Sequence, residues 1–211
     1  MKKVFAILGI LLIIAAGSIW FIYFRGGTKK PKGPKPLALA VSKHSDAFNE
    51  SVQSMLNAYY ALSEALVIWD EAAVSQHANE LKTGLETLKL DELKVDTTGI
   101  YESALDPVAG AQAAVSTIIT EPSFDAKRIA FNNLSDNLRL LFVIVKYDRE
   151  KMYWQECPMA FDDNGAGYWL SRTEEVRNPY LGTKHPKYGD GMLHCGGPKD
   201  TINFTQATLA N

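Results

Sequence analysis

The chain has two cysteines and four histidines in 211 residues. That excludes the multi-cysteine framework of a small disulfide scaffold, and no C-x2-C or H-x3-H spacing marks a structural zinc site. It lacks a glycine-rich P-loop and a dinucleotide fingerprint, so no motif cradles a phosphate. It lacks a charge excess: 22 Lys and Arg against 24 Asp and Glu give a formal net charge of -2. With no basic stripe interleaved with aromatics in its body, nucleic acid is not an expected partner. Internal repeats and strand-helix alternation are also missing, which argues against solenoids and parallel α/β folds. What remains is an ordinary globular composition, 46% hydrophobic and 22% charged, consistent with one folded domain plus appendages.

The first appendage is apolar. Lys2 and Lys3 precede an uncharged run over residues 4–24, which at 1.5 Å per helical residue spans roughly 31 Å and matches a bilayer's hydrocarbon thickness. Ala15, Ala16, Gly17 and Ser18 resemble a cleavage site, yet the apolar run continues through Trp20, Phe21 and Phe24, which favours an uncleaved transmembrane anchor over a signal peptide. Residues 25–43 are rich in Lys, Gly and Pro and cannot bury a core. They read as a semi-extended linker, reaching roughly 60 Å at about 3.1 Å per residue.

Residues 44–149 carry helical periodicity. Phe48, Val52, Met55, Tyr59, Leu62, Leu66 and Trp69 recur at three- and four-residue steps and predict a helix over 45–69. Asp70 is placed to cap a second helix, striped by Val74, Ala78, Leu81, Leu85 and Leu88, ending near Lys89 before a polar connection. A third helix over 100–120 is rich in Ala and Gly, and Pro107 should kink it or mark its start. A fourth, over 124–147, carries Phe131, Leu134, Leu138, Leu141 and Val145. Four amphipathic helices on short links predict a mainly α fold, an antiparallel four-helix bundle.

Residues 150–211 form a turn-rich cap, read as part of the same domain, with short strands near 151–156 and 167–170 and a turn at 162–165. Few hydrophobic runs support it, so packing, a covalent staple or a metal must hold it. Both cysteines lie here, each close to a methionine: Cys157 and Met159 on one arm, Met192, His194 and Cys195 on the other. Thiolate, thioether and imidazole are the donors that soft ions prefer, so these five residues are candidate ligands for Cu(I) or Ag(I). The same two cysteines would equally close a single disulfide, and a pair that binds metal when reduced and closes when oxidised would be redox-sensitive. An enzyme is not expected. Either cysteine with His194 or His185 lacks a motif for a third orienting group or an oxyanion hole, and Asp162 and Asp163 read as a solvated turn.

Cys157-Pro158-Met159-Ala160, Gly165-Ala166, Trp169-Leu170-Ser171, Arg177-Asn178-Pro179-Tyr180 and Met192-Leu193 with Cys195-Gly196 resemble the signature of an uncharacterised bacterial extracytoplasmic domain family. Arg128, Phe131, Leu134, Ser135 and Leu138 resemble its fourth-helix pattern. That family occurs alone behind a membrane anchor or fused to adaptor subunits of copper/silver-type heavy-metal efflux pumps. The resemblance covers roughly residues 45–203 and implies an inner-membrane anchored protein, its domain in the periplasm, linked by association to a heavy-metal efflux complex. Residues 181–191 are longer than the usual spacer of the family. Arg25, Lys29, Lys30, Lys32 and Lys35 outnumber the basic residues before the apolar run and favour a cytoplasmic domain by the positive-inside rule; the short basic start and the resemblance favour export, which is the reading adopted. Two functions follow. One is an anchored accessory protein presenting a soft-metal site. The other is a disulfide-stapled interaction module without metal, whose surface around Trp169, Asn178, Pro179 and Tyr180 would carry its function.

Overall fold

The computed structural model describes residues 43–161 and 165–205, all within the unit Leu39–Asn211. The expected anchor, nearly all of the linker and most of the turn at 162–165 lie outside the described residues. Among those described, no helix is long and apolar enough to cross a membrane.

The described residues are mainly helical, with four α-helices and one small sheet. The helices are α1 (Asp46–Val67), α2 (Glu71–Glu86), α3 (Ile100–Thr120) and α4 (Phe124–Val145). Their starts follow local chemistry. Ser45, Asp70 and Ser123 each adopt an extended backbone and accept a hydrogen bond from the amide of Phe48, Ala73 and Ala126 respectively, satisfying a donor that the first turn leaves free. The predicted stripes are buried: Met55, Tyr59, Leu62 and Leu66 on α1, Leu81 on α2, and Phe131, Leu134 and Leu138 on α4 are at most 1% exposed. Each helix packs on the next in sequence. Gly84, in the middle of α2, allows this at one point, because a β-carbon there would lie 3.0 Å from the Met55 Cα.

Two expectations about this half change. Pro107 is buried inside helix α3, which begins at Ile100, so the proline does not mark its start. The polar connection after α2 contains a 3-10 helix, Leu90–Val95, whose Leu93 joins the core. Lys127 of α4 is buried and donates from Nζ to the Ile118 carbonyl at 2.7 Å, a cation serving the C-terminal turn of α3.

The cap is an antiparallel sheet in the order β2-β1-β3, built from β1 (Met152–Phe161), β2 (Gly165–Ser171) and β3 (Gly197–Ile202). The third strand is absent from the sequence expectation. Its residues Gly-Pro-Lys-Asp-Thr-Ile show no apolar alternation because it is an exposed edge strand, with Pro198 among the residues that blunt the edge.

Packing and polar clamps, both internal, hold the cap to the helices. Leu170, Trp169 and Tyr180 enter the common core. A relay of donors ties sheet to helices: the Leu170 amide donates to the Tyr59 hydroxyl at 3.0 Å, Tyr59 to Ser135 at 2.7 Å, and Ser135 to the Phe131 carbonyl at 2.8 Å. Burial pushes the Tyr59 hydroxyl well above the ordinary phenol range, so it stays a donor at all physiological pH. The Arg177 guanidinium forks onto Glu64 of α1, and Arg128 Nε of α4 donates to the Pro179 carbonyl at 3.1 Å.

Asn178 is the densest of these clamps. Fully buried, it donates from Nδ2 to the Cys195 carbonyl at 3.0 Å and accepts at Oδ1 from the amides of Tyr180 and Leu181 at 2.9 and 3.1 Å. Its own amide donates to the Leu193 carbonyl at 2.9 Å. Replacing it by alanine strands two buried amides and one carbonyl. The Asn178→Ala protein is expected to lose about 2–4 kcal/mol of stability, measured by denaturant unfolding with unchanged m-value.

Candidate functional site: a buried thiol pair

The entry to β3 brings the two cysteines together. Glu156 of β1 pairs with Gly197 of β3 and Gln155 with Pro198, so the irregular segment leading into β3, which carries Cys195, passes beside Cys157. The thiols meet with Sγ atoms 3.5 Å apart. Cys157 is fully buried and Cys195 half-buried, and both are free thiols.

Gly196 makes that approach sterically feasible. Its φ is 116°, in a region that L side chains rarely adopt, and a β-carbon there would lie 2.1 Å from the Glu156 carbonyl oxygen and 3.3 Å from the Cys157 Cα. The glycine after Cys195 therefore serves close backbone passage as well as a turn.

The other expected ligands are placed differently. Alternation along a strand would put Met159 on the face of Cys157, but the register shifts between Cys157 and Phe161. The bulge breaks the two-residue period, and Met159 emerges 41% exposed, lining a separate cleft with Phe161 and Tyr180. Met192 is partly buried against the core, in a run of turns where its amide-to-amide spacing to His194 has no strand meaning. The His194 ring is exposed, with Nδ1 2.8 Å from the Val176 carbonyl oxygen. A carbonyl accepts, so Nδ1 is the donor in this contact. Among the described residues no group of three or more His, Cys, Asp or Glu side chains is placed to hold a metal ion. The thiol pair stands without His194 as a third such donor.

The surface patch expected of an interaction module is also relocated. Trp169, Asn178 and Tyr180 are at most 2% exposed, and Pro179 is buried with them. These residues build the cap's interior. Sequence reasoning missed Gly196 as the residue that lets the arms meet and Asn178 as the clamp on Cys195; the only available signal was their position within the short motifs.

The electrostatics of the pair favour protons. Burial, and then the hydrogen bond and field of the neighbouring Cys157, push the Cys195 thiol up to about 11. A thiol in this state is a poor nucleophile at neutral pH. A metal ion would have to displace its proton to bind there.

Two outcomes test this geometry. In Gly196→Ala the collision with the Glu156 carbonyl displaces β3, so capture of the reduced pair by phenylarsine oxide, which needs two adjacent sulfurs, is expected to fall at least tenfold (about 1.4 kcal/mol) while total thiol titration still counts two cysteines. The second concerns pH. An unfolded thiol loses its proton near its ordinary value of 9.0, whereas folded Cys195 keeps it to about 11. The folded state thus binds more protons across that window, and the thiol's contribution to stability is complete below pH 9 and is lost as pH rises to 11. Under reducing conditions the denaturation midpoint is expected to fall more steeply over pH 9–11 in the parent protein than in Cys195→Ser.

Residues 55–150 match the model of a family described as a protein of unknown function, DUF3347. That match begins within α1, ends before β1 and leaves both cysteines outside it. No curated protein and no solved structure matches the chain. Over its helical part the chain is similar to an uncharacterised domain family.

Proposed function

We propose that the chain is a non-enzymatic accessory protein whose Cys157–Cys195 pair takes a soft d10 ion, Cu(I) or Ag(I), in metal handling or efflux. In this reading the apolar N-terminal run anchors it in the inner membrane, the linker carries the domain into the periplasm, and an antiparallel helical bundle supports the cap. A heavy-metal efflux complex is the partner proposed. The observation that carries the proposal is the 3.5 Å separation of two free thiols.

The donor set supports a soft ion over zinc. Zinc in a structural site asks for four donors, whereas two sulfurs already suit a thiophilic monovalent ion. Metal–sulfur bonds of about 2.3 Å span two sulfurs as much as about 4.6 Å apart, so 3.5 Å corresponds to a bent pair open to a further donor. Met192 is the nearest thioether in sequence on the Cys195 arm; Met159, on the other, lines a separate cleft.

A second reading, a disulfide-stapled module without metal, rests on the same separation, since modest side-chain rotation would bring the sulfurs to bonding distance. What weighs against a purely structural staple is that Asn178, Arg128, Arg177 and the Tyr59 relay already fix the cap. A bridge would add restraint where hydrogen bonds and core packing already supply it.

Competition titration of the reduced full chain against a chromophoric Cu(I) chelator separates the readings. One Cu(I) per chain is expected, lost in Cys157→Ser and Cys195→Ser, and weakened in Met192→Ala. Apparent affinity should rise with pH between 6 and 8, because each bound ion displaces thiol protons. A chain that yields no free thiols as isolated and takes up no Cu(I) after reduction would sink the metal reading and leave the staple.

A further inference from the structure

The two thiols differ in access. Cys157 is 0% exposed, whereas Cys195 keeps part of its surface in solvent. A reagent arriving from outside therefore meets Cys195 first, and Cys157 stays out of its reach until the fold opens locally. Within the molecule the two sulfurs already face one another, with Sγ atoms 3.5 Å apart, close to the roughly 3–3.5 Å at which positioned atoms react. One sulfur is placed to receive an incoming group and the other to displace it.

The backbone around the pair allows this without unfolding. The Cys195 amide donates to the Met192 carbonyl at 3.0 Å, and its own carbonyl accepts from Asn178 at 3.0 Å. Gly196 lies against the backbone of Glu156 and Cys157 with no room for a side chain. These contacts, with Arg177 on Glu64 and Arg128 on the Pro179 carbonyl, hold the cap through groups other than sulfur. Closing the pair to a bond of about 2.05 Å asks for relative movement of roughly 1.5 Å between the sulfurs. Reopening it leaves every other fastening of the cap in place.

We propose that the pair exchanges with small organic disulfides in a fixed order, Cys195 accepting the incoming sulfur and Cys157 resolving it. In the first step the Cys195 thiolate attacks a disulfide RSSR, forming a Cys195–S–SR mixed disulfide and releasing RS⁻. In the second the Cys157 thiolate attacks the Cys195 sulfur and displaces the other RS⁻, leaving a Cys157–Cys195 bond. The two cysteine protons end on the two released thiolates, and two electrons pass from the pair to the reagent. Burial and the neighbouring Cys157 hold the Cys195 thiol up to about 11, which keeps the first step slow at neutral pH. The pair thus responds to sustained oxidising conditions and is no turnover catalyst. The order needs no metal and goes beyond a permanent staple; on the metal reading, closure withdraws both thiolates from the ion.

The test treats the metal-free, reduced full chain with excess hydroxyethyl disulfide at pH 8, followed by acid quench and mass spectrometry. The parent is expected to lose two hydrogens with no adduct accumulating. Cys157→Ser should instead stop at one adduct on Cys195, and Cys195→Ser should react about a hundredfold more slowly than Cys157→Ser, because its thiol waits on local opening. Since either substitution can loosen the cap, brief alkylation of the reduced parent with iodoacetamide supplies a second measurement. Peptide mapping should find Cys195 labelled about a hundredfold faster than Cys157. A mixed disulfide that persists in the parent, closure only in denaturant, or equal labelling of the two cysteines would each overturn the order. Cu(I) uptake has no bearing on these outcomes, so either proposal can fail while the other stands.

Discussion

A single buried amide, Asn178, governs the cap. It bonds at once to the start of the Tyr180 turn and to the carbonyl of Cys195, so two loops that are distant in sequence share one set of partners. Such a side chain is effective because burial removes water as an alternative: each of its bonds is either made by the protein or lost outright. The position of Cys195 is therefore set by a neutral polar network and by the steric demand of Gly196, with no contribution required from the sulfurs themselves. The thiols are held in place before any ion or oxidant arrives.

The helical half was largely legible because its causes are local. Hydrophobic spacing along α1, α2 and α4, with Ser45, Asp70 and Ser123 as caps, depends on neighbours three or four residues away, which a linear reading can see. The cap was legible only in outline. Strand β3 is held by pairing to β1 and carries no apolar alternation of its own, so its existence is a tertiary fact. The bulge after Cys157 is likewise invisible in sequence, and it separates Met159 from the thiol that ordinary alternation would have given it. The five expected ligands were chosen by chemical type; the irregular entry to β3, with Gly196 allowing close passage, brings two of them, Cys157 and Cys195, into sulfur–sulfur contact.

Protonation then narrows what such a pair can do. A reactive cysteine needs positive surroundings to hold its thiolate, whereas Cys195 lies beside another sulfur in a partly apolar setting and is driven the other way. That makes Cys195 a weak nucleophile at neutral pH. On the proposed metal reading, the binding energy of a soft ion would have to compensate for the protons released, and occupancy would fall on acidification.

Arg128 raises a different question, since a hydrophobic side chain of similar volume would commonly fill a buried position at no loss of stability. Burial holds its guanidinium down to about 10, partly offset by Asp125, so it remains charged at neutral pH while exerting an electrostatic cost. What an apolar residue could not do is fix the Pro179 and Leu66 carbonyls and stack on Trp69 and Phe124 in one defined orientation. Directional bonds of this kind trade stability for a unique arrangement of the α1 end, the start of α4 and the cap loop.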